Sequence, residues 1–338
     1  MKVIRNIALL RDIPHAVVTI GTFDGVHLGH QAIFKEMKKM AQEVRGETVV
    51  VTFHPHPRQV LQIGTETLRF ICTQEEKLKK FEEFGIDHVV IIPFTKEFAS
   101  TPSEVFIKEY IIDRIHPSVM VVGYDHHFGK NRIGDFEMLN RLGGQFGFKT
   151  VQVEAQYINN VSVSSTKIRN ALATGNVALA NQLLGYPYSV TGEVVNGNKI
   201  GRTLGFPTAN LDLPNEYIMI GNPGVYACRT EVDGKVYQAM ANTGMRPTIQ
   251  NLVESGKWKM ESGKLACGSN SPLSTFHFPL KIEVNIFDFE GDLYGRTLKV
   301  EFLERIRDEV KFNGLEALKA QLERDREQVK DYFLRSQM

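Results

Sequence analysis

The sequence predicts two domains: a Rossmann-like α/β domain over residues 1–186, then an antiparallel barrel or sandwich over residues 187–338 that ends in a helix. Three observations carry this prediction. The chain has 338 residues, which is more than one ordinary domain needs. Short β-branched runs alternate with helical segments up to about residue 157. After residue 186 the apolar and polar residues alternate in twos instead.

The composition is ordinary for a soluble protein, with 42% apolar residues and 40 basic against 39 acidic residues. A net charge of +1 gives no global field for nucleic acid, so we expect no nucleic-acid partner and only local anion binding. No apolar run approaches the ~20 residues that span a bilayer, so we expect no membrane contact and a cytoplasmic location. The three cysteines form no CxxC pair, which predicts reduced thiols; they are Cys72, Cys228 and Cys267.

The first half contains the elements of a parallel sheet covered on both faces. Helical spacing covers Leu28 to Val44 and Glu75 to Phe84. The stretch SSTKIRNALATGNVALANQLLG predicts one or two more helices, closed by Gly185 before Pro187. The five runs that predict strands are AVVTIG, TVVVTF, HVVIIPF, VMVVGYD and TVQVEAQ.

The second half has a strand period, and Asp233-Gly234 marks a tight hairpin turn. A charged amphipathic helix is predicted from about Leu315 to Phe333. The segment 251–280 fits neither pattern, because it is polar and rich in Gly and Ser, and we predict a long surface loop there. The runs that predict strands are YSVTGEVV, GVYACRTEVDGKVYQAMA, LKIEVNIFDF and TLKVEFLERI.

The stretch IGTFDGVHLGHQ places two histidines where a strand gives way to a helix. His27 and His30 fall in the turn and the first helical turn, where unpaired backbone N–H groups favour a bound anion. Gly21, Gly25 and Gly29 lack the Cβ atoms that would keep a phosphate from the backbone. The imidazoles could donate hydrogen bonds to phosphate oxygens. A tight connection with incidental histidines is the alternative, and a metal pair is less expected because no third ligand is near.

Three further stretches each follow a predicted strand, at the edge where open α/β sheets bind ligands. They are TFHPHPRQVL, VVGYDHHFGKNRIGD and VSVSSTKIR. Taken singly they are weak signals. His54 and His56, flanked by prolines, could form a rigid loop, and Ser164 to Thr166 could cap a helix. Together with the histidine stretch they predict one ligand site.

The string GTFDGVHLGH matches the signature of the HxGH nucleotidyltransferases, and residues 15–170 resemble the FMN adenylyltransferase module of the bacterial bifunctional riboflavin kinase/FMN adenylyltransferases. The resemblance implies that His27 and His30 are catalytic and contact the ATP phosphates. It implies phosphate or ATP contacts for Gly21, Phe23, Asp24, Gly29, Ser164, Ser165, Thr166 and Arg169. It implies nucleotide or flavin contacts for His54, Pro55, Pro57, Gly123, Asp125 and Phe128.

The string GNKIGRTLGFPTANL, at 197–211, is a second signal. Its glycines, Lys and Arg could wrap phosphates, while the Thr208 hydroxyl and the Asn210 amide oxygen hold Mg²⁺. Neutral ligands suffice because the ATP phosphates supply the negative charge. The alternative is a Gly/Pro turn between two barrel strands.

The stretches GFPTANL, GMRPT and IEVNIFDFEGDLYG together resemble the riboflavin kinase module of the same family, which implies a barrel and Glu283 as the base. On a strand, Glu283 shares a face with Asn285 and Phe287. Arg305 and Arg307 could contact the flavin or form a solvated charged segment. The resemblance implies ATP contacts for Gly197, Lys199, Gly201, Arg202, Gly205 and Pro207.

The whole pattern predicts an enzyme that phosphorylates riboflavin to FMN with ATP and Mg²⁺, then adenylylates FMN to FAD and releases pyrophosphate. The expected partners are small molecules, and no obligate protein partner is implied. One alternative is a nucleotidyltransferase for another phosphorylated molecule, but such an enzyme has no reason to carry GFPTAN. The other is a flavin or nucleotide sensor without turnover, against which the retained His27, His30 and Glu283 argue.

Overall fold

The computed structural model describes two compact units, which are residues 1–168 with 183–185 and residues 169–182 with 186–338. The boundary near residue 186 stays a prediction. Within the described ranges, no helix has the length and apolar character of a membrane-spanning segment. The described residues are 1–7, 10, 12–61, 69–130, 133–197, 200–213, 221–245, 258–261, 264–267 and 280–336.

A parallel sheet forms the centre of the first unit. Its strands are β1 (Lys2–Ile4), β2 (Val17–Ile20), β3 (Thr48–His54), β4 (His88–Pro93), β5 (Val119–Gly123) and β6 (Lys149–Val153). They pair in parallel in the order β1-β4-β3-β2-β5-β6. The five predicted strands are confirmed. β1 escaped prediction because three residues are too few to show a pattern.

Helices cover both faces of this sheet, so its four central strands, β2 to β5, are buried and read as continuous apolar runs. The helices up to residue 146 are α1 (Leu28–Val44), α2 (Pro57–Leu61), α3 (Gln74–Glu83), α4 (Lys96–Ala99), α5 (Ser103–Phe106), α6 (Asp113–Ile115) and α7 (Phe136–Phe146). The bounds of α1 are those predicted, and α3 begins one residue earlier than expected. A π-helical segment (Ile107–Ile112) links α5 to α6. Two further helices follow, α8 (Ser165–Ala173) and α9 (Val177–Leu184), and their residues 169–182 belong to the second unit.

The strand order reverses at β2, and this reversal determines where the candidate functional residues of the first unit lie. β3 pairs with one edge of β2, and β5 pairs with the other. The connections that leave the carboxyl ends of β2 and β5 therefore diverge and open a crevice, the usual ligand position in such sheets. A short hairpin, β7 (Tyr157–Ile158) and β8 (Val161–Ser162), follows β6 and leads into α8.

A closed antiparallel barrel forms the second unit, as the resemblance implied. Its strands are β9 (Tyr188–Val195), β10 (Ala209–Asp212), β11 (Gly224–Val232), β12 (Lys235–Met245), β15 (Leu280–Ile286) and β16 (Thr297–Asp308), in the order β10-β15-β12-β11-β16-β9. The predicted hairpin turn joins β11 to β12, with positive φ at both Asp233 and Gly234. β10 was not predicted as a strand, because it has only four residues, the last three of GFPTANL and Asp212.

The segment 251–280 was predicted as a surface loop, and the structure corrects this in part. It describes two short paired strands, β13 (Trp258–Glu261) and β14 (Lys264–Cys267). The Gly- and Ser-rich composition of the segment concealed them, because neither strand has four consecutive strand-forming residues.

Two helices pack on one face of the barrel wall: α10 (Ile200–Thr203) and α11 (Leu315–Arg335). α11 places Val329 in an apolar cluster with Phe206 and Met240. On the same helix Asp325 is fully buried, and its two oxygens accept hydrogen bonds from Nε and Nη2 of Arg307 at 2.8 and 2.7 Å. This bidentate ion pair fixes α11 to β16.

We expect Asp325→Ala to lower the free energy of unfolding of the barrel domain by about 3–5 kcal/mol, because it leaves the Arg307 charge without its buried partner. Urea denaturation followed by circular dichroism measures this. Asp331→Ala, an exposed position on the same helix, is the control and should change stability by less than about 0.5 kcal/mol. Equal effects of the two substitutions would contradict the role given to the ion pair.

Two candidate active sites

The turn after β2 brings the two predicted histidines into contact. His27 is the N-cap of α1, and its Nδ1 accepts a hydrogen bond from the backbone N–H of His30 at 3.4 Å. The two rings stack, with centroids 3.6 Å apart and planes at 17°. Because Nδ1 of His27 accepts this bond, Nε2 is the ring nitrogen that can carry a proton to donate. His27 can therefore donate from Nε2 to a phosphate oxygen.

His30 is held neutral by its surroundings. Burial, then the neighbouring His27 and Lys77, lower its pKa well below the ordinary histidine value. The edge of Phe23 contacts its ring, with centroids 5.0 Å apart. Its buried Nδ1 has no hydrogen-bond partner in the part of the chain that the structure describes. Such an unsatisfied buried nitrogen is costly and is typical of a ligand site.

Asp24 connects this turn to the segment before α3. Its carboxylate is buried and accepts hydrogen bonds from the backbone N–H groups of Ile71 and Cys72 at 3.0 and 3.4 Å. In return, the N–H of Gly25 donates to Sγ of Cys72 at 3.2 Å. Burial, together with the Asp24 charge, raises the pKa of this thiol far above its ordinary value, so Cys72 stays protonated. The predicted contact of Asp24 with phosphate stays a prediction, since these bonds already fix its side chain.

The glycines of the turn lie close to other protein atoms. This close packing is a second reason for glycine at these positions, and the sequence alone did not show it. A Cβ on Gly25 would lie 2.8 Å from Ile71, and Gly25 has a φ of +77°. A Cβ on Gly21 would lie 2.9 Å from the Phe23 ring, and one on Gly29 would lie 3.2 Å from the His27 ring. The absent Cβ atoms therefore make room for the ring and loop contacts of the turn itself.

The serine motif at the start of α8 meets the histidine turn. Oγ of Ser165 donates to the backbone oxygen of Asp24 at 3.0 Å. Oγ of Ser164 accepts from the N–H of Lys167 at 3.4 Å, as a helix cap does. Thr166 is exposed, and Arg169 lies on α8 one turn after Ser165. The two motifs that sequence reasoning grouped are thus adjacent in the first unit.

The remaining candidates of the first unit lie at the ends of β3 and β5. His54 ends β3, is exposed, and precedes Pro55 in a cis peptide bond. Pro57 begins α2, Gly123 ends β5, and Asp125 is exposed. The ring of Phe128 is instead buried in the core cluster of the first unit. The structure thus gives Phe128 a packing role, and its expected contact with the nucleotide or flavin stays a prediction.

In the barrel, three polar residues lie side by side across three strands. Glu283 on β15 is the register partner of Asn210 on β10 and of Asn242 on β12. Directly opposed residues of antiparallel strands point to the same face. As predicted, Glu283 and Asn285 share that face, and the Asn285 amide donates to the backbone oxygen of Pro207 at 2.7 Å.

This face lines a cavity of about 250 Å³ between the barrel wall, α10, α11 and the chain after β16. Its polar lining includes a second carboxylate, Glu309, and Lys281, which forms an ion pair with Glu283. The residues around it are Ile200, Gly201, Leu204, Phe206, Thr208, Asn210, Val225, Met240, Asn242, Lys281, Glu283, Asn285, Arg307, Glu309, Val310, Phe312, Leu318 and Leu322. The cavity thus joins an apolar wall to a polar one.

The two predicted metal ligands, Thr208 and Asn210, both line this cavity. Oδ1 of Asn210 is buried and has no hydrogen-bond partner among the described residues. An amide oxygen beside a hydroxyl and a carboxylate is the donor chemistry that Mg²⁺ prefers. Gly197 allows the close approach of the chain here, since a Cβ would lie 2.2 Å from Nδ2 of Asn210.

The two candidate flavin-side arginines point to opposite faces of β16. Arg307 opposes Val225 and lines the cavity, whereas Arg305 opposes the adjacent residue, Tyr226. A β-bulge places Ile306 as an extra residue between them, so the period of two fails. Arg305 donates to the backbone oxygen of Pro223 at 2.9 Å. The structure therefore does not bring Arg305 to the cavity.

Of the other candidates from GNKIGRTLGFPTANL, some line the cavity and others do not. Gly201 lines the cavity. It lies in the short helix α10, where an open loop was expected. Arg202, Gly205 and Pro207 are exposed and do not line it. Lys199 lies outside the described residues.

Sequence reasoning missed the residues whose place depends on tertiary contacts. Asn242, Lys281 and Glu309 line the cavity, but only strand register and the closed barrel bring them together. One available signal was overlooked: Thr73 and Glu76 have the spacing of a capping box and do form one at the start of α3. That box fixes the start of the helix that carries Lys77.

A histidine turn at the switch point of a parallel sheet, with a separate barrel cavity of carboxylate, amide and hydroxyl groups, defines a two-domain enzyme of nucleotide and phosphate transfer. The family model of FAD synthetase matches residues 10–167, and that of riboflavin kinase matches residues 184–333. The chain belongs to the bifunctional riboflavin kinase/FMN adenylyltransferase family, and it has both activities.

Curated relatives match over nearly the whole chain. The bifunctional riboflavin kinase/FMN adenylyltransferase of Bacillus subtilis (strain 168) is 38% identical over 94% of this chain and 92% of its own length. That of Escherichia coli (strain K12) is 34% identical over 98% of both chains. A solved structure titled as a macrolide-efflux protein from Streptococcus pneumoniae is 32% identical, covers 97% of this chain and 98% of its own, and superposes with a TM-score of 0.79.

We expect Gly25→Ala to reduce FMN adenylylation by about 10²-fold, because the added methyl group displaces the histidine turn from Ile71. Riboflavin phosphorylation should not change. Gly147→Ala is the matched control, since Gly147 also has a positive φ but open space around it. The control should lose about 1–3 kcal/mol of stability and keep both activities. Flavin chromatography measures the rates, and full adenylylation by Gly25→Ala would contradict the close packing of the turn.

Proposed function

We propose that the histidine turn of the first unit carries FMN adenylylation and that the barrel cavity carries riboflavin phosphorylation. The observation that supports the first assignment is the stacked His27–His30 pair, in which Nδ1 of His27 accepts the backbone N–H of His30. The observation that supports the second is the buried Oδ1 of Asn210, which lies beside Glu283 and has no hydrogen-bond partner among the described residues.

In adenylyl transfer, a phosphate oxygen of FMN attacks the α-phosphorus of ATP. A new P–O bond forms, the bond to the β-phosphate oxygen breaks, and pyrophosphate leaves. No protein nucleophile is needed, because the FMN phosphate is already charged. His27 and His30 donate hydrogen bonds to phosphate oxygens as charge develops on them, which is electrostatic stabilisation of the transition state. Phosphate-side contacts are proposed also for Gly21, Phe23, Asp24, Gly29, Ser164, Ser165, Thr166 and Arg169.

In phosphoryl transfer, Glu283 takes the proton of the riboflavin 5′-hydroxyl while that oxygen attacks the γ-phosphorus of ATP. The bond from the γ-phosphorus to the leaving ADP oxygen breaks. Such reactions need positioning and charge neutralisation more than covalent help. The ion pair places the ammonium group of Lys281 beside the Glu283 carboxylate, the group proposed as the base. Arg307 is the proposed flavin-side contact of this cavity.

Mg²⁺ is the proposed metal of the kinase step, held by Oγ1 of Thr208 and Oδ1 of Asn210. When bound it supplies charge neutralisation for the ATP phosphates. The residues fit this ion, because Asn210 offers a buried oxygen that nothing else among the described residues satisfies. Their neutrality suits a metal that shares its shell with phosphate oxygens and water.

We further propose that the enzyme works in the cytoplasm with small molecules alone, namely riboflavin, FMN, FAD and ATP. The near balance of 40 basic and 39 acidic residues supports this, since it gives no overall attraction to nucleic acid or to anionic membrane. The purified chain should then convert riboflavin to FAD without any added protein.

The two activities should separate by substitution. Glu283→Gln removes the base but keeps its shape, so riboflavin phosphorylation should fall by roughly 10²–10⁴-fold. His30→Ala removes one phosphate donor, so FMN adenylylation should fall by about 10²–10³-fold. The measurement is flavin chromatography of wild type and each variant, given either riboflavin or FMN with ATP.

Each variant controls the other, because the unaffected activity reports a folded chain at known concentration. Glu283→Gln should convert supplied FMN at the wild-type rate, and His30→Ala should accumulate FMN from riboflavin. If His30→Ala abolished phosphorylation and spared adenylylation, the assignment of activities to the two sites would be wrong.

The metal assignment predicts opposite effects of two substitutions at one position. Asn210→Leu should raise the Mg²⁺ concentration for half-maximal riboflavin phosphorylation by at least about tenfold, since it removes the ligand oxygen. Asn210→Asp should keep or lower that concentration, because it adds a charged oxygen. Adenylylation of FMN by the same samples is the internal control and should keep its Mg²⁺ dependence. An unchanged requirement in Asn210→Leu would exclude Asn210 as a ligand.

A further inference from the structure

A buried lysine lies beside the histidine turn, and the mechanism above does not use it. Lys77 is on α3 and is only 6% exposed. Its Nζ donates to the backbone oxygen of Thr22 at 3.1 Å and to Oγ1 of Thr52 at 3.4 Å. It therefore joins the start of the turn to the end of β3. Lysines are almost never this buried unless a carboxylate pairs with them.

Lys77 has no such ion pair. In the described ranges, no carboxylate oxygen lies within 4 Å of its Nζ. Burial lowers the pKa of Lys77, and the nearby charge of Asp24 opposes this lowering. The carboxylate oxygens of Asp24, however, are bonded to backbone N–H groups. Cys72 is a neutral thiol and offers no charge. A buried cation without a direct counterion is costly, so its retention needs a reason.

The effect of Lys77 already extends to the histidines. Its charge is one of the causes that lower the pKa of His30. Water cannot screen this charge, because Lys77 is buried, and charges interact more strongly in the protein interior than in water. A polyanion held by His27 and His30 would lie within the same field.

We propose that Lys77 is a positioning residue of FMN adenylylation: it holds the turn through Thr22 and supplies the positive charge that binds the pyrophosphate portion of ATP from behind the turn. This inference rests on the proposed phosphate role of His27 and His30. Lys77 does not touch the substrate. Its charge, which has no direct counterion among the described residues, is balanced when the triphosphate binds, and it favours retention of the polyanion.

A purely structural role makes a different prediction. If Lys77 only joined the turn to β3, its loss would disturb the whole adenylylation site, and FMN binding and pyrophosphate binding would weaken together. A charge that acts on the polyphosphate weakens pyrophosphate binding far more than flavin binding. The ratio of the two effects therefore distinguishes the roles.

The test uses the full chain and inorganic pyrophosphate with Mg²⁺ as the probe. Lys77→Met keeps the length of the side chain and removes its charge. Lys79→Met, an exposed position on the same helix, is the control. Calorimetric titration should give a Kd for pyrophosphate at least tenfold higher in Lys77→Met than in wild type, with the Kd for FMN within threefold. Lys79→Met should match wild type, and riboflavin phosphorylation should be unchanged in both variants.

A pyrophosphate Kd within threefold of wild type in Lys77→Met would overturn the proposal, as would an equal loss of FMN binding. Lys77→Arg is the second variant and keeps the charge. If it loses tenfold or more in pyrophosphate binding while FMN binding stays intact, charge is not what matters and the proposal fails. His30→Ala tests the underlying site separately, because unchanged pyrophosphate binding in that variant would refute the histidine assignment whatever Lys77 does.

Discussion

The buried side chain of Asp24 is the constraint on which the histidine turn, the proposed site of adenylylation, depends. It accepts backbone hydrogen bonds from the segment before α3, and its own backbone oxygen accepts from Ser165 at the start of α8. Two segments distant in sequence are thus fixed to one residue of the turn. The N–H of Gly25 also donates to Cys72, so the turn that carries the stacked histidines is held to the segment before the helix of Lys77. Asp24 belongs to a ligand-binding motif, and in this structure its hydrogen bonds chiefly hold the turn to its neighbouring segments.

Most of the fold could be predicted from the sequence, because period and composition are local properties. The parallel strands are continuous apolar runs, and α1 has a clear helical period between a turn and a left-handed cap. The elements that were not predicted from the sequence are short. β1 and β10 have three and four residues, and their strand character comes from the neighbours that pair with them. Pairing is a tertiary fact that no short window of sequence contains.

The residues of the candidate sites show the same difference between local pattern and tertiary contact. Motif residues such as His27, Ser165 and Asn210 could be identified, since a ligand-binding turn needs particular residue types at fixed offsets. Asn242 and Lys77 could not, because they reach their sites only through strand register and helix packing. The paired arginines of β16 show the limit most clearly. Alternation predicts one face for both, and a single extra residue in the strand separates them.

β15, the strand that carries Glu283, is positioned by its pairing with β12 and β10. Seven register pairs join β15 to β12, from Leu280 opposite Met245 to Ile286 opposite Ala239, and β10 adds three more. In sequence, residues 246–279 join the end of β12 to the start of β15. Loop-closure entropy grows with the logarithm of length, so doubling such a stretch costs only about 0.6 kcal/mol. The chain can therefore lengthen or shorten here during evolution while Glu283 keeps its two asparagine neighbours.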